Sequence, residues 1–344
     1  MRKVKLTFPY LEWDLARQSP SNTKIWGDYQ FLINEDVAEC DYWVVYNHLY
    51  KDSETCICPV KNTILLTGEP YTVFQYNNKF IWQFEHIITC QREIIHPRKY
   101  FMHLGMPWYV GARYLVDGKM SFSRNYDELY SQDFVNKTKD ICIISSDKNF
   151  TEGHRNRLEL VNKIKAQFGN KIDVFGRGIN DFEDKWDVLK DYRYCITIEN
   201  TKTLDYFSEK LVDCYLSHTF PIYYGCTNIN DYFNPESCII FDLDNIDGLT
   251  KIITKVLSDK DHYNNSLPHL IEAKKKYLKE YNLFPLIVNF IDKNLKVLSK
   301  KKSITLVNEF ADKQFFLLNL IRRIFKKLKK QLSRGINLSP KSLI

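Results

Sequence analysis

The sequence predicts an α/β protein with two domains and a C-terminal amphipathic helical tail. Its 344 residues exceed the length at which a single hydrophobic core usually stops growing, so two domains are expected. From residue 141 onward, short β-branched runs alternate with helical patterns, which indicates parallel βαβ units. The hydrophobic share of 44% and the charged share of 26% are those of a globular protein, and they exclude a disordered or fibrous class.

The first part of the chain contains short apolar and aromatic runs at 4–8, 42–46, 63–67 and 86–89. Turn-forming residues separate these runs, which are typical of buried strands in an α/β layer. A polar stretch from Gly118 to Lys139 has no sustained period and predicts the interdomain linker. We therefore expect residues 1–130 to form one domain, residues 140–299 a second, and residues 300–344 a basic tail.

The second part alternates regularly between strands and helices. In parallel sheets of this kind, ligands bind at the carboxyl ends of the strands, often at helix N-termini. We therefore expect the ligand site at those ends. The predicted strands are 141–145, 172–175, 194–198, 221–224 and 238–241, and the predicted helices are 153–168, 184–190, 205–217 and 246–257.

The cysteines and acidic pairs do not indicate a metal site. Nine scattered cysteines, mostly inside apolar runs, are typical of reduced, buried thiols in a cytoplasmic protein. Cys56 and Cys58 are too close for the usual zinc spacing. Asp242-Leu243-Asp244 resembles an Asp-x-Asp metal motif, but its place between a strand and a helix start favours capping. We expect neither a metal nor another cofactor.

The net charge of +7 is concentrated beyond residue 299, so the body is close to neutral and nucleic-acid binding is not indicated. The N-terminus lacks an apolar stretch of signal-peptide length. No window reaches the roughly 18 to 20 apolar residues of a transmembrane helix. The expected location is the cytoplasm, with any membrane contact made from the surface.

Residues 315–332 combine apolar side chains at steps of three and four with interspersed lysines and arginines. This pattern predicts an amphipathic helix in an anionic membrane interface, and hence peripheral membrane association. The alternative is a helix that packs on the catalytic body or on a partner. The basic cluster favours the membrane.

The densest polar cluster follows the strand at 194–198. Glu199-Asn200 leads into a polar loop and then into a helix that carries Glu209 and Lys210. Glu209 is suited to bond ribose hydroxyls, and Lys210 is suited to neutralise diphosphate oxygens. The alternative is a capped helix with an exposed Glu-Lys pair, which spacing alone does not exclude.

Three further charged residues follow predicted strands. Arg155 lies at the head of a helix, and Arg177 follows the next strand between two glycines, so both are candidates for anion binding. Glu69 follows a buried strand of the first half, where it can face an interdomain cleft as a general base. Each arginine is equally consistent with a solvated surface residue, and for Glu69 the bare pattern favours a solvated loop acid.

The block 194–225 resembles the signature of glycosyltransferase family ten, the α-1,3/1,4-fucosyltransferases. Thr67-Gly68-Glu69 weakly resembles the Thr-Gly-Glu of bacterial members, and Phe207-Ser208 stands where the family usually has Val/Ile-Thr. Together the matches span residues 40–290. The segments that carry the resemblance are Ile198-Glu199-Asn200, Asp205-Tyr206-Phe207-Ser208-Glu209-Lys210 and Pro221-Ile222-Tyr223-Tyr224-Gly225.

The resemblance implies two facing Rossmann-like domains of the GT-B type, with the acceptor bound by the first domain and GDP-fucose by the second. It implies inverting transfer of L-fucose to a hydroxyl of an N-acetylglucosamine or glucose unit, in glycan or lipopolysaccharide biosynthesis or in protein glycosylation. The partners would be GDP-fucose, an oligosaccharide acceptor and an anionic membrane surface.

The resemblance also implies roles for particular residues. Glu69 would be the general base. Arg155 and Lys210 would bind the phosphates in place of a metal, a charge-stabilising role that suits a departing diphosphate. Asn200 and Tyr206 would line the donor pocket, with Glu209 on the ribose. Arg177, a candidate from its position after a strand and not from the resemblance, completes the predicted donor site.

Two other functions remain open from the residues. One is a GT-B transferase that uses another nucleotide sugar, such as GDP-mannose. The other is a catalytically inactive, membrane-docked module that binds a glycan or a nucleotide sugar. The joint presence of Glu69, Glu209 and Lys210 argues against the inactive module.

Overall fold

The computed structural model describes residues 1–115, 119–132, 134, 136–145, 152–176, 178–296 and 300–311, without the side chains of residues 152–157. Within these ranges the strands form two large sheets built from parallel pairs, flanked by helices. The predicted α/β class is therefore confirmed.

The first large sheet has seven strands among the described residues, in the order β2-β3-β1-β4-β6-β7-β8. All neighbours from β3 to β8 are parallel, and β2 pairs antiparallel with β3 at the edge. The strands of this part of the chain are β1 (Arg2–Thr7), β2 (Ile25–Trp26), β3 (Tyr29–Ile33), β4 (Tyr42–Tyr46), β5 (Ser53–Cys58), β6 (Thr63–Leu66), β7 (His86–Thr89) and β8 (Lys99–Phe101).

The second large sheet has five parallel strands in the described ranges, in the order β12-β11-β13-β14-β15. The chain leaves β11 toward β12 and returns on the other side to β13. Ligands bind in the crevice at such a switch point, beside the carboxyl ends of the strands. The strands are β9 (Ala112–Tyr114) and β10 (Met120–Phe122), which form a separate hairpin, then β11 (Lys139–Ile144), β12 (Ile172–Phe175), β13 (Tyr192–Ile198), β14 (Phe220–Tyr224) and β15 (Ile239–Ile240).

Three α-helices of the described residues alternate with the strands of the second sheet, and three more follow its last strand. No helix, in the part of the chain that the structure describes, is long and apolar enough to cross a membrane. The α-helices are α1 (Asn78–Ile81), α2 (Tyr126–Ser131), α3 (Glu152–Phe168), α4 (Lys185–Leu189), α5 (Glu209–Leu216), α6 (Ile246–Ser258), α7 (His262–Lys276) and α8 (Leu283–Asn294).

Helix α5 begins later than the predicted helix 205–217. Ser208 has an extended backbone, and its hydroxyl accepts a hydrogen bond from the N–H of Lys210. Serine is a preferred residue at this capping position. Asp205 has a φ of 57°, which is incompatible with a right-handed helix. Residues 205–207 therefore form a loop at the end of the second sheet.

The predicted linker between residues 118 and 139 contains regular structure instead. It includes β10 and α2. Asn125 caps α2 by accepting from the N–H of Glu128, whose carboxylate accepts from the N–H of Asn125. This reciprocal capping box stabilises a helix too short to show a helical period.

Helix α8 lies on the first sheet, although the predicted boundary at residue 299 placed it with the second. Leu283, Phe284 and Ile287 are buried in one core with Val4 and Leu6. An apolar helix face must be covered, and this face of the first sheet is equally apolar. The C-terminal part of the predicted second domain thus completes the core of the first.

The predicted tail begins with a strand. Strand β16 (Lys302–Val307) pairs antiparallel with β5, and its Leu306 is buried against the other face of the first sheet. Three of its six residues, Ile304, Thr305 and Val307, are β-branched, and such side chains favour a strand. The predicted amphipathic helix at 315–332 lies outside the described residues and stays a prediction.

All nine cysteines lie in the described ranges, and each is buried with a free thiol. The Sγ atoms of Cys40 and Cys56 are 3.7 Å apart, which is a contact and not a bond. The prediction of buried, unpaired thiols is confirmed.

Candidate active site

Loops at the carboxyl ends of the two large sheets touch each other. The hydroxyls of Thr72 and Thr201 are 2.5 Å apart. The guanidinium of Arg92, which follows β7, forms an ion pair with Asp205, between β13 and α5. The two sets of strand ends therefore face each other, and we call the region between them the cleft.

Glu199 organises the side of the cleft that belongs to the second sheet. Its carboxylate is fully buried and accepts from the Ser208 N–H at 2.8 Å and the Ser208 hydroxyl at 2.7 Å. The ammonium group of Lys210 lies 3.3 Å from the same carboxylate. Glu199 thereby ties the end of β13 to the first turn of α5. Sequence reasoning quoted Glu199 as part of a motif without giving it a role.

The glycine of the motif is required by Glu199. A Cβ atom on Gly225 would collide with Cγ of Glu199 and with the hydroxyl of Tyr223. Only glycine allows the end of β14 to lie this close to a buried carboxylate. Glu199 also explains why a hydroxyl residue stands at position 208. The Ser208 hydroxyl donates to Glu199 and accepts from the N–H of Lys210, which caps α5. The usual threonine of the family carries the same hydroxyl.

Glu209 and Lys210 are mostly buried, with 16% and 22% of their side chains exposed. The alternative of an exposed Glu-Lys pair is therefore wrong. Burial alone would raise the pKa of Glu209, but Lys210 and Lys185 lower it below its usual value. Burial would likewise lower the pKa of Lys210, but Glu199 and Glu209 raise it. Both groups are charged at neutral pH.

Lys185 and Asp213 complete this charged cluster, and sequence reasoning missed both. The Lys185 ammonium lies 2.8 Å from the Asp213 carboxylate and 3.8 Å from that of Glu209. Asp213 also accepts from the backbone N–H groups of Tyr109 and Val110, at 2.9 and 3.1 Å. The sequence signalled Asp213 only by its spacing. It lies one helical turn after Glu209, so the two carboxylates are neighbours on one side of the helix.

Glu69 follows β6 and is half-buried on the opposite side of the cleft. Burial and repulsion from Glu209 raise its pKa to about 7, against the attraction of Lys210. The Glu69 carboxylate therefore lies within electrostatic range of the start of α5. A group whose pKa is close to neutral is suited to accept a proton in a reaction at neutral pH. The alternative of a solvated loop acid is therefore wrong for Glu69.

Glu85, another acid of the first half of the chain, lies at the wrong end of the sheet to act as the base. It precedes the first residue of β7 and forms an ion pair with Arg98. Glu69 follows the last residue of the neighbouring parallel strand. The two carboxylates thus lie at opposite ends of the first sheet, and only Glu69 borders the cleft.

Asn200 and Tyr206 lie at the same edge as Glu199. Asn200 follows it at the end of β13 and is half-buried. Tyr206 is only 1% exposed and packs with Cys90 and Leu104, so it contacts the loop after β7. It therefore forms part of the wall between the two sheets.

Asp205 stabilises the loop before α5. Its carboxylate accepts from the Asn228 amide at 2.9 Å and the Tyr232 hydroxyl at 2.5 Å, besides its ion pair with Arg92. Burial opposes ionisation, but these donors hold its pKa below the usual value. Arg92 had no signal in the sequence, because its partner lies 113 residues away.

The two predicted arginines are beyond what the structure describes in side-chain detail. Arg155 lies in the first turns of α3, and its side chain is outside the description. Arg177 lies outside the described residues. Both positions follow strands of the second sheet, β11 and β12. Their roles in donor binding stay predictions.

A family model described as "Glycosyltransferase family 10 (fucosyltransferase) C-term" matches residues 134–270. The matched segment contains β11 to β15, and it includes Glu199, Glu209 and Lys210. The resemblance stated from the sequence is therefore confirmed over this segment.

Two curated relatives align over short stretches. "Alpha-(1,3)-fucosyltransferase FucT" of Helicobacter pylori is 34% identical over 86 residues, which is 25% of this chain and 18% of the relative. "Alpha-(1,3)-fucosyltransferase B" of Drosophila melanogaster is 28% identical over 88 residues, 25% of this chain and 20% of the relative. The aligned part of the chain thus spans a fifth or less of each relative's length.

A solved structure titled "Crystal Structure of alpha1,3-Fucosyltransferase with GDP-fucose" is similar over a longer range. It is 17% identical to this chain, and the superposition covers 87% of this chain and 93% of that one. The TM-score is 0.48.

Proposed function

We propose that this chain, whose residues 134–270 belong to glycosyltransferase family 10, is an inverting α-1,3/1,4-fucosyltransferase. It moves L-fucose from GDP-fucose onto a hydroxyl of an N-acetylglucosamine or glucose unit in a glycan. The observation that carries the proposal is the environment of Glu69. The pKa of its carboxyl is about 7, and it shares one cleft with the charged start of α5. We propose a GT-B arrangement in which the first sheet binds the acceptor and the second binds the donor.

In the proposed reaction Glu69 takes the proton of the acceptor hydroxyl. The acceptor oxygen attacks the anomeric carbon from the face opposite GDP, and the bond to the diphosphate oxygen breaks with its electron pair. Positive charge builds on the sugar ring and negative charge on the diphosphate. A base on one side of the cleft and cations on the other match this distribution of charge.

Lys210 is proposed to bind the diphosphate, together with Arg155 and Arg177. Glu209 is proposed to accept hydrogen bonds from the ribose hydroxyls, since its carboxylate is ionised beside two lysines. Asn200 and Tyr206 are proposed to line the pocket for the fucose and its phosphates. Glu199 acts through Lys210 and Ser208, as a positioning residue.

The function is tested by incubating the full chain with GDP-fucose or GDP-mannose and a panel of glucose- and N-acetylglucosamine-containing glycans. Mass spectrometry and NMR of the products should detect α-linked fucose, formed only from GDP-fucose. Transfer from GDP-mannose instead would favour the alternative transferase. Binding of both nucleotides without turnover would favour the inactive module.

We propose that the transfer needs no divalent metal. Lys210 supplies positive charge for the phosphates. Asp242, in the Asp-x-Asp segment that follows β15, already forms an ion pair with Lys202 at 2.6 Å, beside the cap of α6. We expect the rate in excess EDTA to equal the untreated rate, with a manganese-dependent glycosyltransferase as the control in the same buffer. Loss of transfer that manganese restores would contradict the proposal.

We further propose peripheral association with the cytoplasmic face of a membrane through residues 315–332. Deletion of residues 315–344 should abolish sedimentation with vesicles that contain phosphatidylserine, because apolar contacts and basic charges are lost together. Transfer to a soluble acceptor should be unaffected. Vesicles of pure phosphatidylcholine are the control for charge, and a truncated chain that still sediments would show that the anchor lies elsewhere.

A further inference from the structure

A group of four rings, two exposed and two half-buried, lies at the carboxyl end of the first sheet. We call Tyr10, His48, Phe74 and Phe310 the aromatic shelf. The ring centroids are 6.5 Å apart for Tyr10 and His48, 5.1 Å for His48 and Phe310, and 6.0 Å for Phe310 and Phe74. Tyr10 is 40% exposed and Phe310 37%. Clustered, exposed aromatic side chains indicate a binding surface.

The aromatic shelf is joined to the loop that carries Glu69. The ring of Tyr76 lies 4.7 Å from that of Phe74. The Tyr76 hydroxyl accepts from the N–H of Gly68 at 2.9 Å and donates to the side chain of Asn47 at 2.5 Å. The Asn47 amide in turn donates to the Tyr10 hydroxyl at 3.1 Å. The shelf and the proposed base are therefore held beside each other by one network.

Phe310 reaches the shelf from the far end of the described chain. After β16, the Asn308 amide donates to the carbonyls of Leu49 and Lys51 at 2.8 and 3.0 Å. The buried carboxylate of Glu309 accepts from the backbone N–H of Asn77. Asn308 and Glu309 thus anchor the segment on loops of the first sheet, while the ring of Phe310 remains exposed.

The chemistry of the aromatic shelf suits an uncharged sugar ring. Aromatic faces bind the apolar C–H face of a pyranose, while the exposed Tyr10 hydroxyl can donate a hydrogen bond to one of its oxygens. Burial lowers the pKa of His48 to about 4, so its imidazole is neutral at pH 7. None of the four shelf residues carries a charge at that pH.

We propose that the aromatic shelf binds a second sugar unit of the acceptor, next to the unit whose hydroxyl reacts at Glu69, and that Phe310 makes the C-terminal segment a determinant of acceptor selectivity. This inference rests on the proposed function, because it assumes that the substrate at Glu69 is a glycan. It adds to that function a subsite, built from named residues, for the sugar next to the reacting one.

The test compares Phe310→Ala and Phe310→Tyr with Val307→Ala, an exposed residue of the same segment outside the shelf. Kinetics are measured with a disaccharide and with its reacting monosaccharide alone. Phe310→Ala should raise the disaccharide KM roughly tenfold or more, since a stacked ring is lost. Its monosaccharide KM and its GDP-fucose KM should not change. Phe310→Tyr keeps a ring and Val307→Ala leaves the shelf intact, so both should stay close to the wild type.

A second measurement does not depend on fucose transfer. Saturation-transfer NMR of the disaccharide without donor should detect binding by the wild type and by Phe310→Tyr, and lose it in Phe310→Ala. If the chain transfers no fucose, the proposed function fails, but this loss of binding still supports the shelf. Equal disaccharide binding in wild type and Phe310→Ala overturns the shelf even if transfer is confirmed, as does a wild type that binds no disaccharide.

Discussion

Glu69→Gln is expected to lower the rate of fucose transfer by about 10² to 10⁴, because glutamine keeps the shape of the side chain and cannot accept the proton. Binding of GDP-fucose should stay near the wild-type value, since Glu69 belongs to the first sheet and the donor residues to the second. Turnover at saturating substrates and calorimetric titration with GDP-fucose measure the two effects separately.

Glu85→Gln is the matched control. The Glu85 carboxylate is paired with Arg98 at the amino end of β7, away from the cleft, so the rate should stay within about twofold of wild type, as for most surface substitutions. Near-normal turnover in Glu69→Gln, or a collapse that occurs only in Glu85→Gln, would show that the base has been misassigned.

The pH profile gives Glu69 an independent signature. A base must be unprotonated, and burial raises the pKa of this carboxyl to about 7. For the wild type, kcat/KM for the acceptor should therefore fall about tenfold for each pH unit below that pKa and level off above it. In Glu69→Gln this acidic limb should disappear. A limb that persists unchanged in the variant would assign the titration to another group.

Lys210→Met is expected to weaken GDP binding by about 1.5 to 3 kcal/mol, roughly 10- to 150-fold in Kd, because a charge-assisted contact to phosphate is lost. Methionine keeps much of the length and apolar volume of the side chain. Glu199 retains both hydrogen bonds from Ser208, so the start of α5 should persist. Calorimetric titration with GDP measures the affinity, and thermal unfolding checks the fold.

Lys190→Met is the control for a lost positive charge. Lys190 lies just after α4. Its ammonium pairs with Asp187 at 3.2 Å, and not with Glu199 or Glu209. Its GDP affinity should equal that of the wild type. An unchanged affinity in Lys210→Met, or an equal loss in both variants, would remove the diphosphate from the start of α5.

Much of the fold follows from local sequence. Strands β4, β7 and β12 have the predicted bounds. β4 and β7 are buried along their whole length, so they appear as short runs of buried residues between turn residues, whereas the edge strand β12 alternates buried with more exposed residues. The motif from Ile198 to Lys210 is equally local, since a strand, a capping serine and a helix start follow one another along the chain. The sequence by itself therefore determined the α/β class and the position of the proposed donor site.

The tertiary structure alone decided which distant groups complete the cleft. Lys185 pairs with Asp213, and Arg92 pairs with Asp205, only because the elements that carry them pack together. For the same reason α8 and β16 lie on the first sheet, although they are far from it in sequence. The pKa of Glu69 has the same origin, since it depends on burial and on charges from another part of the chain. Local propensity specifies where a strand or helix forms. Burial and charge environment depend on which surfaces meet, and that is a property of the folded chain.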